Sequence, residues 1–289
     1  MMVTCIQKSI RLIPWQLRTS IKHIPVVAWM QRRFLSSFLE GREFLHTVDA
    51  GPAKGLIYPV VLPEDKGVWT GTYELDFVDR LASSVPPGGI CFDIGGWQGY
   101  FAGVMAYAGA SKIYVCEPLP FNCKRIMRLI DLNPHHQIML EQAAVGEHDG
   151  VATFQVMPES SMGKLENSPF QEDQSSKDTI TVRMVTLDSL CESRGIPSAD
   201  VIKIDVEGAE MMVLRGAINM LKTSKPHLFV EAHSRDLTIQ VMDFLVARGY
   251  AVTTLETGQP PDGMSEPALC HLQAIPTDDT SRGQAQVAP

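Results

Sequence analysis

The sequence predicts an α/β protein built on a mainly parallel sheet with helices on both faces. Three observations carry the prediction. From residue 90 onward, short apolar runs alternate with helical segments, the pattern of a parallel sheet. The first run, Ile90-Cys91-Phe92-Asp93-Ile94, passes through the glycine turn Gly95-Gly96-Trp97-Gln98-Gly99 into a run of helix formers. Strands at 90–94, 112–116, 201–204 and 228–230 end in or next to an acid: Asp93, Glu117, Asp205 and Glu231. Ligands in such sheets bind outside the carboxyl ends of the strands, so the turn and the four acids mark the expected site.

The 289 residues suit one large domain with an extension, and the 45% apolar and 20% charged fractions are those of a globular chain. A net charge of −8 argues against nucleic acid as a partner. The charge is uneven. Residues 1–43 hold seven Lys or Arg against Glu40 and Glu43, about +5, which leaves about −13 for the rest. This stretch, broken by Pro14 and Pro25, reads as a basic helical arm. Peripheral contact with a membrane surface and a transit peptide are the two sharper readings. No apolar run reaches the length of a membrane span. The six cysteines contain no C-x-x-C pair, which points to a reducing compartment, the cytoplasm, without structural zinc.

Residues 44–275 read as the folded domain. Residues 55–63 suggest a short edge strand bounded by prolines, and Leu75 to about Ser83 an amphipathic helix with Phe77, Val78 and Leu81 inward. Tyr73 and Glu74, just before it, read either as a cover over a ligand or as a packed aromatic beside a helix N-terminal acid. Pro86-Pro87-Gly88-Gly89 turns into the first core strand, followed by a helix to about Ala108. A strand at Lys112–Cys116 and a helix opened by Pro118 and Pro120 follow. After a third strand at Ile138–Leu140 comes a β-like insertion, 151–156 and 179–185, around a polar loop. Thr186 starts a short helix, and Val201–Ile204 is the fourth core strand. One helix is expected from Gly208 to about Leu221, with Met211, Leu214, Ile218 and Leu221 on one face. Segments at 228–230, 237–248, 251–255 and 269–274 complete the alternation, and residues 276–289 read as a disordered tail.

The turn discriminates between ligands. A dinucleotide fingerprint is G-x-G-x-x-G, its second glycine leaving room for a pyrophosphate. Here Asp93-x-Gly95-x-x-x-Gly99 puts the indole of Trp97 where that glycine belongs, which argues against a nicotinamide oxidoreductase. Glycine without a Cβ lets a ligand approach the backbone. Glu117, 22 positions after Gly95, stands where a carboxylate accepts hydrogen bonds from a ribose diol. Gln142 and Ala143 follow the third strand, where an adenine edge would lie. Four acids converging on one edge repel one another, a cost that a cationic ligand relieves.

The motif around Asp93 and Gly95 resembles the first motif of S-adenosylmethionine-dependent methyltransferases. Val115-Cys-Glu-Pro118, Ala143-Ala-Val-Gly146, Thr186-Leu-Asp-Ser-Leu190 and Ile202-Lys-Ile-Asp-Val-Glu-Gly-Ala-Glu210 follow in order. With Val213-Leu-Arg-Gly216 and the Glu231 strand, they resemble the FkbM family of these enzymes over about residues 68–256. Trp97 and Gln98 are a larger pair than the family's usual small residue plus Asn. The resemblance implies a Rossmann-like class I methyltransferase fold with seven strands. It also implies S-adenosylmethionine as cofactor and a hydroxyl oxygen of a small molecule, sugar or natural product as acceptor. Asp93, Gly95, Gly99, Glu117, Gln142 and Ala143 are the candidate cofactor-binding residues.

Methyl transfer to oxygen needs donor and acceptor held in line and the hydroxyl proton removed. Asp205, Glu207, Glu231 and His233 are the candidate bases, and Lys203 shares a strand face with Asp205. The alternative for Lys203 and Asp205 is a buried ion pair. Asp205, Glu207, Glu231 and His233 could also ligate Mg²⁺, but no compact motif supports this and no metal site is assigned. A non-catalytic, membrane-associated binding module is the remaining alternative function.

Overall fold

The computed structural model describes residues 41–156, 163–165, 179–262 and 269–279. The arm, membrane-surface and transit readings of residues 1–40 lie outside the described residues. So do residues 157–162 and 166–178 of the polar loop and the tail beyond residue 279, whereas the start of the expected tail is ordered: Pro276 ends a strand and Thr277–Asp279 form a 3-10 turn.

The described chain opens with a hairpin, β1 (Phe44–Thr47) and β2 (Ile57–Val60), which forms its own antiparallel sheet. Short helix α1 (Lys66–Thr70) and α2 (Leu75–Ser84) follow. As the spacing predicts, α2 buries Phe77, Val78 and Leu81, each worth about 1.5–3 kcal/mol when fully buried. Next come β3 (Ile90–Ile94), α3 (Tyr100–Tyr107), β4 (Lys112–Cys116), α4 (Pro120–Leu132) and β5 (Ile138–Glu141). The insertion is a sheet of β6 (Ala144–Val145), β7 (Gly150–Val156), β8 (Gly163–Leu165) and β9 (Thr179–Val185) in the order β6-β9-β7-β8. The chain ends through α5 (Leu187–Arg194), β10 (Val201–Ile204), α6 (Glu210–Arg215), α7 (Ile218–Thr223), β11 (His227–Ala232), α8 (Arg235–Val246), β12 (Tyr250–Thr254) and β13 (Cys270–Pro276).

The main sheet has seven strands in the order β12-β13-β11-β10-β3-β4-β5. Among the described strands of this sheet, β13 alone runs against its neighbours; the other pairings are parallel. Period-two alternation divides the core. Phe92, Ile94, Ile202, Ile204, Leu228 and Val230 pack on one face with α5, α6 and α8. Cys91, Ile113, Val115, Val201 and Phe229 pack on the other with α2, α3 and the hairpin. Asp93 and Lys203 are partners in the β3–β10 register and share that second face.

The helix expected over 208–221 is instead two, broken at Gly216 and Ala217. A Cβ on Gly216 would lie 2.0 Å from the carbonyl oxygen of Gly146, so the chain bends where it meets that loop. The Asp188 carboxylate then accepts from Asn219 N (2.8 Å) and Met220 N (2.9 Å), capping the open end of α7. Thr186 caps α5 through Ser189 N at 3.0 Å. The Thr-Leu-Asp-Ser-Leu run therefore starts two helices. Met211, Leu214 and Leu221 are buried as expected, but Ile218, in the first turn of the new helix, is exposed.

Candidate active site

A cavity of about 370 Å³ opens at the carboxyl ends of β3, β4, β10 and β11. Its floor is the glycine turn. Gly95 N and Gly96 N donate to the Cys116 carbonyl at 3.0 and 3.1 Å. Gly95 has a left-handed φ of 78°, and a Cβ there would sit 1.7 Å from the backbone oxygen of Asp205. The glycine is thus required by the approach of the next strand's end, not by a ligand alone. Gly99, φ 85°, starts α3 against Leu129 and Ile126 and lies beneath the lining.

Trp97 has a left-handed φ of 45° and stacks on Tyr73 at 6.3 Å between ring centroids. Gln98 is buried and accepts a hydrogen bond from Tyr58 of β2 at 3.2 Å. These contacts account for the large pair in the turn: each side chain is held by an element N-terminal to the core. Trp97 lines the cavity with its indole N–H buried and lacking an acceptor among the described residues.

Glu117 lies on the wall beyond β4. Its Oε2 accepts Trp97 N (2.9 Å), and its Oε1 accepts Leu119 N (2.9 Å) and Asn122 Nδ2 (3.2 Å). Burial raises its pKa to about 7, against the lowering effect of these donors. Ala143, Ala144, Val145, Leu119 and Phe154 form an apolar wall, Phe154 coming from the insertion. Gln142 is exposed and lies outside the lining, whereas Ala143, Ala144 and Val145 are part of it.

Lys203 is the one Lys or Arg among the described residues of the lining. Its Nζ donates to the Gly95 carbonyl at 2.8 Å and lies 3.3 Å from both Asp93 and Asp205. Phe101 covers it at 5.0 Å. Burial alone would lower its pKa, but Asp205 and Asp93 outweigh this and raise it. Asp93 is wholly buried beneath the wall, and burial holds its pKa up despite Lys203. Asp93 therefore reaches the cavity through Lys203 rather than directly.

The Asp205-Val-Glu-Gly-Ala-Glu210 run curls around His233. His233 Nδ1 is 2.7 Å from Glu210 Oε1, which also accepts Gly208 N at 2.9 Å. His233 Nε2 faces Glu207 (3.3 Å), Asp205 (3.6 Å) and Glu231 (3.8 Å). Burial opposes the charge on the ring, but Glu210 and Asp205 raise its pKa to about 9. Glu207, with a left-handed φ of 53°, has its pKa raised to about 7 by burial and by Asp205. His233 lies behind the lining, whereas Asp205, Glu207 and Glu231 reach it.

Tyr73, Glu74 and Glu64 close the cavity from the N-terminal side. Glu64, Asn122, Phe154 and Glu210 were not singled out from sequence. Glu210 carried a readable signal: it is the third acid of the Asp205-x-Glu207-x-x-Glu210 spacing. Phe154 carried none, because its position depends on how the insertion folds back.

The Methyltransferase FkbM domain family matches residues 93–252. The hexuronic acid methyltransferase AglP of Haloferax volcanii is 26% identical over 161 residues, which are 56% of this chain and 63% of that protein. The chain thus spans under two thirds of that relative's length. The crystal structure of the methyltransferase FkbM from Methylobacillus flagellatus KT aligns with a TM-score of 0.45 at 16% identity, covering 72% of this chain and 52% of that one. A putative methyltransferase from Streptococcus mutans in complex with SAH aligns with a TM-score of 0.42 at 9% identity, covering 68% and 94%.

Proposed function

The chain belongs to the FkbM methyltransferase family, with its Rossmann-like class I fold, and from that premise we propose that it methylates a hydroxyl oxygen using S-adenosylmethionine. The observation that carries this reading is the cavity itself, where the glycine turn, the Glu117 carboxylate and the Asp205 carboxylate meet at the carboxyl edge of the sheet. S-adenosylmethionine supplies a methyl group on a positively charged sulfur.

The lining fits that donor. A volume of about 370 Å³ lies within the range of small-molecule sites. Each carboxylate oxygen accepts about two hydrogen bonds, and Glu117 Oε2 takes one from Trp97 N; this supports a ribose hydroxyl as the second. Ala143, Val145 and Phe154 offer a flat apolar wall to a purine. The buried indole N–H of Trp97 is a donor suited to an oxygen of the ligand. Asp205 and Glu207 put negative charge where a cation would lie.

Lys203 ties three parts together: the turn carbonyl of Gly95, the buried Asp93 and the cavity-facing Asp205. Asp205 is thereby aimed into the cavity, and we assign it the acceptor's proton, with Glu231 beside it. His233 sits behind these acids and fixes their arrangement; its buried, ringed position favours a carboxylate over the imidazole as base. The similarity to a hexuronic acid methyltransferase supports a sugar hydroxyl as acceptor. Family membership sets aside the oxidoreductase alternative. Cys91, Cys116, Cys123, Cys191 and Cys270 are free thiols among the described residues. Among the described residues no helix is long and apolar enough to cross a membrane.

The test is calorimetric titration of the full chain with S-adenosylmethionine and with NADH. It is followed by incubation with methyl-labelled donor and a panel of glycosides and cell extract. The reading requires binding of the first ligand only and label in a base-stable ether. No binding of S-adenosylmethionine would refute it; binding without transfer to any hydroxyl would favour the non-catalytic module.

A further inference from the structure

We propose that Glu74, Glu231 and His271 form a binding site for a divalent transition-metal ion in the wall of the cavity. One ligand atom from each of the three lies within 4.8 Å of the others, and His271 Nε2 is 3.5 Å from Glu231 Oε2. Bonds of about 2.0–2.2 Å to a metal separate neighbouring ligand atoms by roughly 3–3.5 Å, so small side-chain movements close the set.

The histidine is already set as a ligand. Its Nδ1 lies 2.8 Å from Glu256 Oε1, which also accepts the His271 backbone N–H at 3.1 Å. A carboxylate behind a histidine favours the tautomer protonated on Nδ1; Nε2 faces Glu231, and a metal would replace that ion pair by binding both groups. The ring plane is held by Phe77 at 5.4 Å between centroids. Glu74 supplies the independent observation. Its Oε2 is buried with no hydrogen-bond partner among the described residues, the Tyr73 hydroxyl beside it interacts with the same carboxylate, and its backbone is held at a left-handed φ of 41°. A plain ion-pair account of His271 with Glu231 and Glu256 leaves Glu74 out; a metal brings its carboxylate into the set.

The neighbouring trio of Asp205, Glu231 and His233 is less suited. His233 Nε2 already faces three carboxylates, and its ring lies behind the lining. One imidazole with two carboxylates suits Zn²⁺ or Mn²⁺. Glu74 and His271 both fall outside the matched residues 93–252. Glu74 and Glu231 line the cavity and turn the ion toward it. Resting on the methyl-transfer reading, the ion's remaining positions take the acceptor oxygen and lower its proton affinity.

The experiment uses the full chain freed of metal by chelation. Mn²⁺ is titrated by electron paramagnetic resonance and Zn²⁺ by calorimetry. One saturable ion per chain is expected, weakened at least tenfold by Glu74→Gln and by His271→Ala. No saturable binding of either ion, or binding that both variants leave unchanged, overturns the proposal. Should His271→Ala fail to fold, Glu74→Gln decides alone, because Glu74 is partly exposed and the exchange keeps its shape. Binding of S-adenosylhomocysteine to the metal-free wild type is measured in parallel. Donor binding without metal binding removes only the metal site; metal binding without donor binding removes only the methyl-transfer reading.

Discussion

Replacing Asp205 with Asn separates catalysis from packing. Lys203 Nζ is 3.3 Å from Asp93 and 3.3 Å from Asp205, so distance does not rank the two partners. Burial does: the Asp93 side chain is 0% exposed and that of Asp205 24%. Asp205→Asn leaves Lys203 with its buried counter-charge and with the Gly95 carbonyl at 2.8 Å. Its stability cost should be that of a partly solvated pair, about 1 kcal/mol or less, or a fall in Tm of roughly 2–4 °C for a domain of this size. Lys203→Met instead strands Asp93 in the core. Breaking a buried pair costs about 3–5 kcal/mol, roughly 6–20 °C in Tm. If Asp205 takes the acceptor's proton, Asp205→Asn should cut kcat by about 10²–10⁴ with little change in donor affinity. The assay pairs thermal melts with single-turnover transfer of labelled methyl. An Asp205→Asn protein that melts as early as Lys203→Met, yet transfers methyl normally per folded molecule, would refute the catalytic assignment.

Three further outcomes are expected. Glu117 has a folded pKa of about 7 against an ordinary 4.5, so in the ligand-free protein its contribution to stability is full below 4.5 and is lost as pH rises through 7. Donor binding favours the ionised form, so affinity should fall by up to about tenfold per unit as pH drops below 7; calorimetry from pH 5.5 to 8 checks this, and a flat profile that Glu117→Gln also gives counts against the ribose role. Glu210→Ala removes a wholly buried carboxylate 2.7 Å from His233 Nδ1, and denaturant melts should show a loss of about 3–5 kcal/mol. Gly95→Ala brings a Cβ 1.7 Å from the Asp205 oxygen at a left-handed φ that alone costs about 1–2 kcal/mol; both Tm and donor affinity should drop, and wild-type values for both would contradict the turn geometry.

The sequence disclosed what depends on local pattern. Apolar runs located the strands of the main sheet, and period-two spacing correctly put Lys203 and Asp205 on one face. The paired prolines marked the start of α4, and Thr186 the start of α5. What it hid depends on contacts between distant segments. Strand β1 (Phe44–Thr47) and the two-residue strand β6 (Ala144–Val145) are too short to announce themselves, whereas β2 (Ile57–Val60) falls inside the edge strand expected at 55–63. The break between α6 and α7 arises from the Gly146 carbonyl and the Asp188 cap, 70 and about 30 residues away in the chain. Asp93 read as a cofactor contact because it ends the first strand; its register partner Lys203 draws it below the wall instead. Glu256 and His271, 15 residues apart, meet only because β12 and β13 are paired.

The most direct test of the account is a crystal structure of the full chain with S-adenosylhomocysteine. The account predicts the ribose hydroxyls within hydrogen-bond distance of Glu117, the purine against Ala143 and Val145, and the sulfur facing Asp205. A ligand bound with its ribose away from Glu117, or with Asp205 turned from the sulfur, would contradict it.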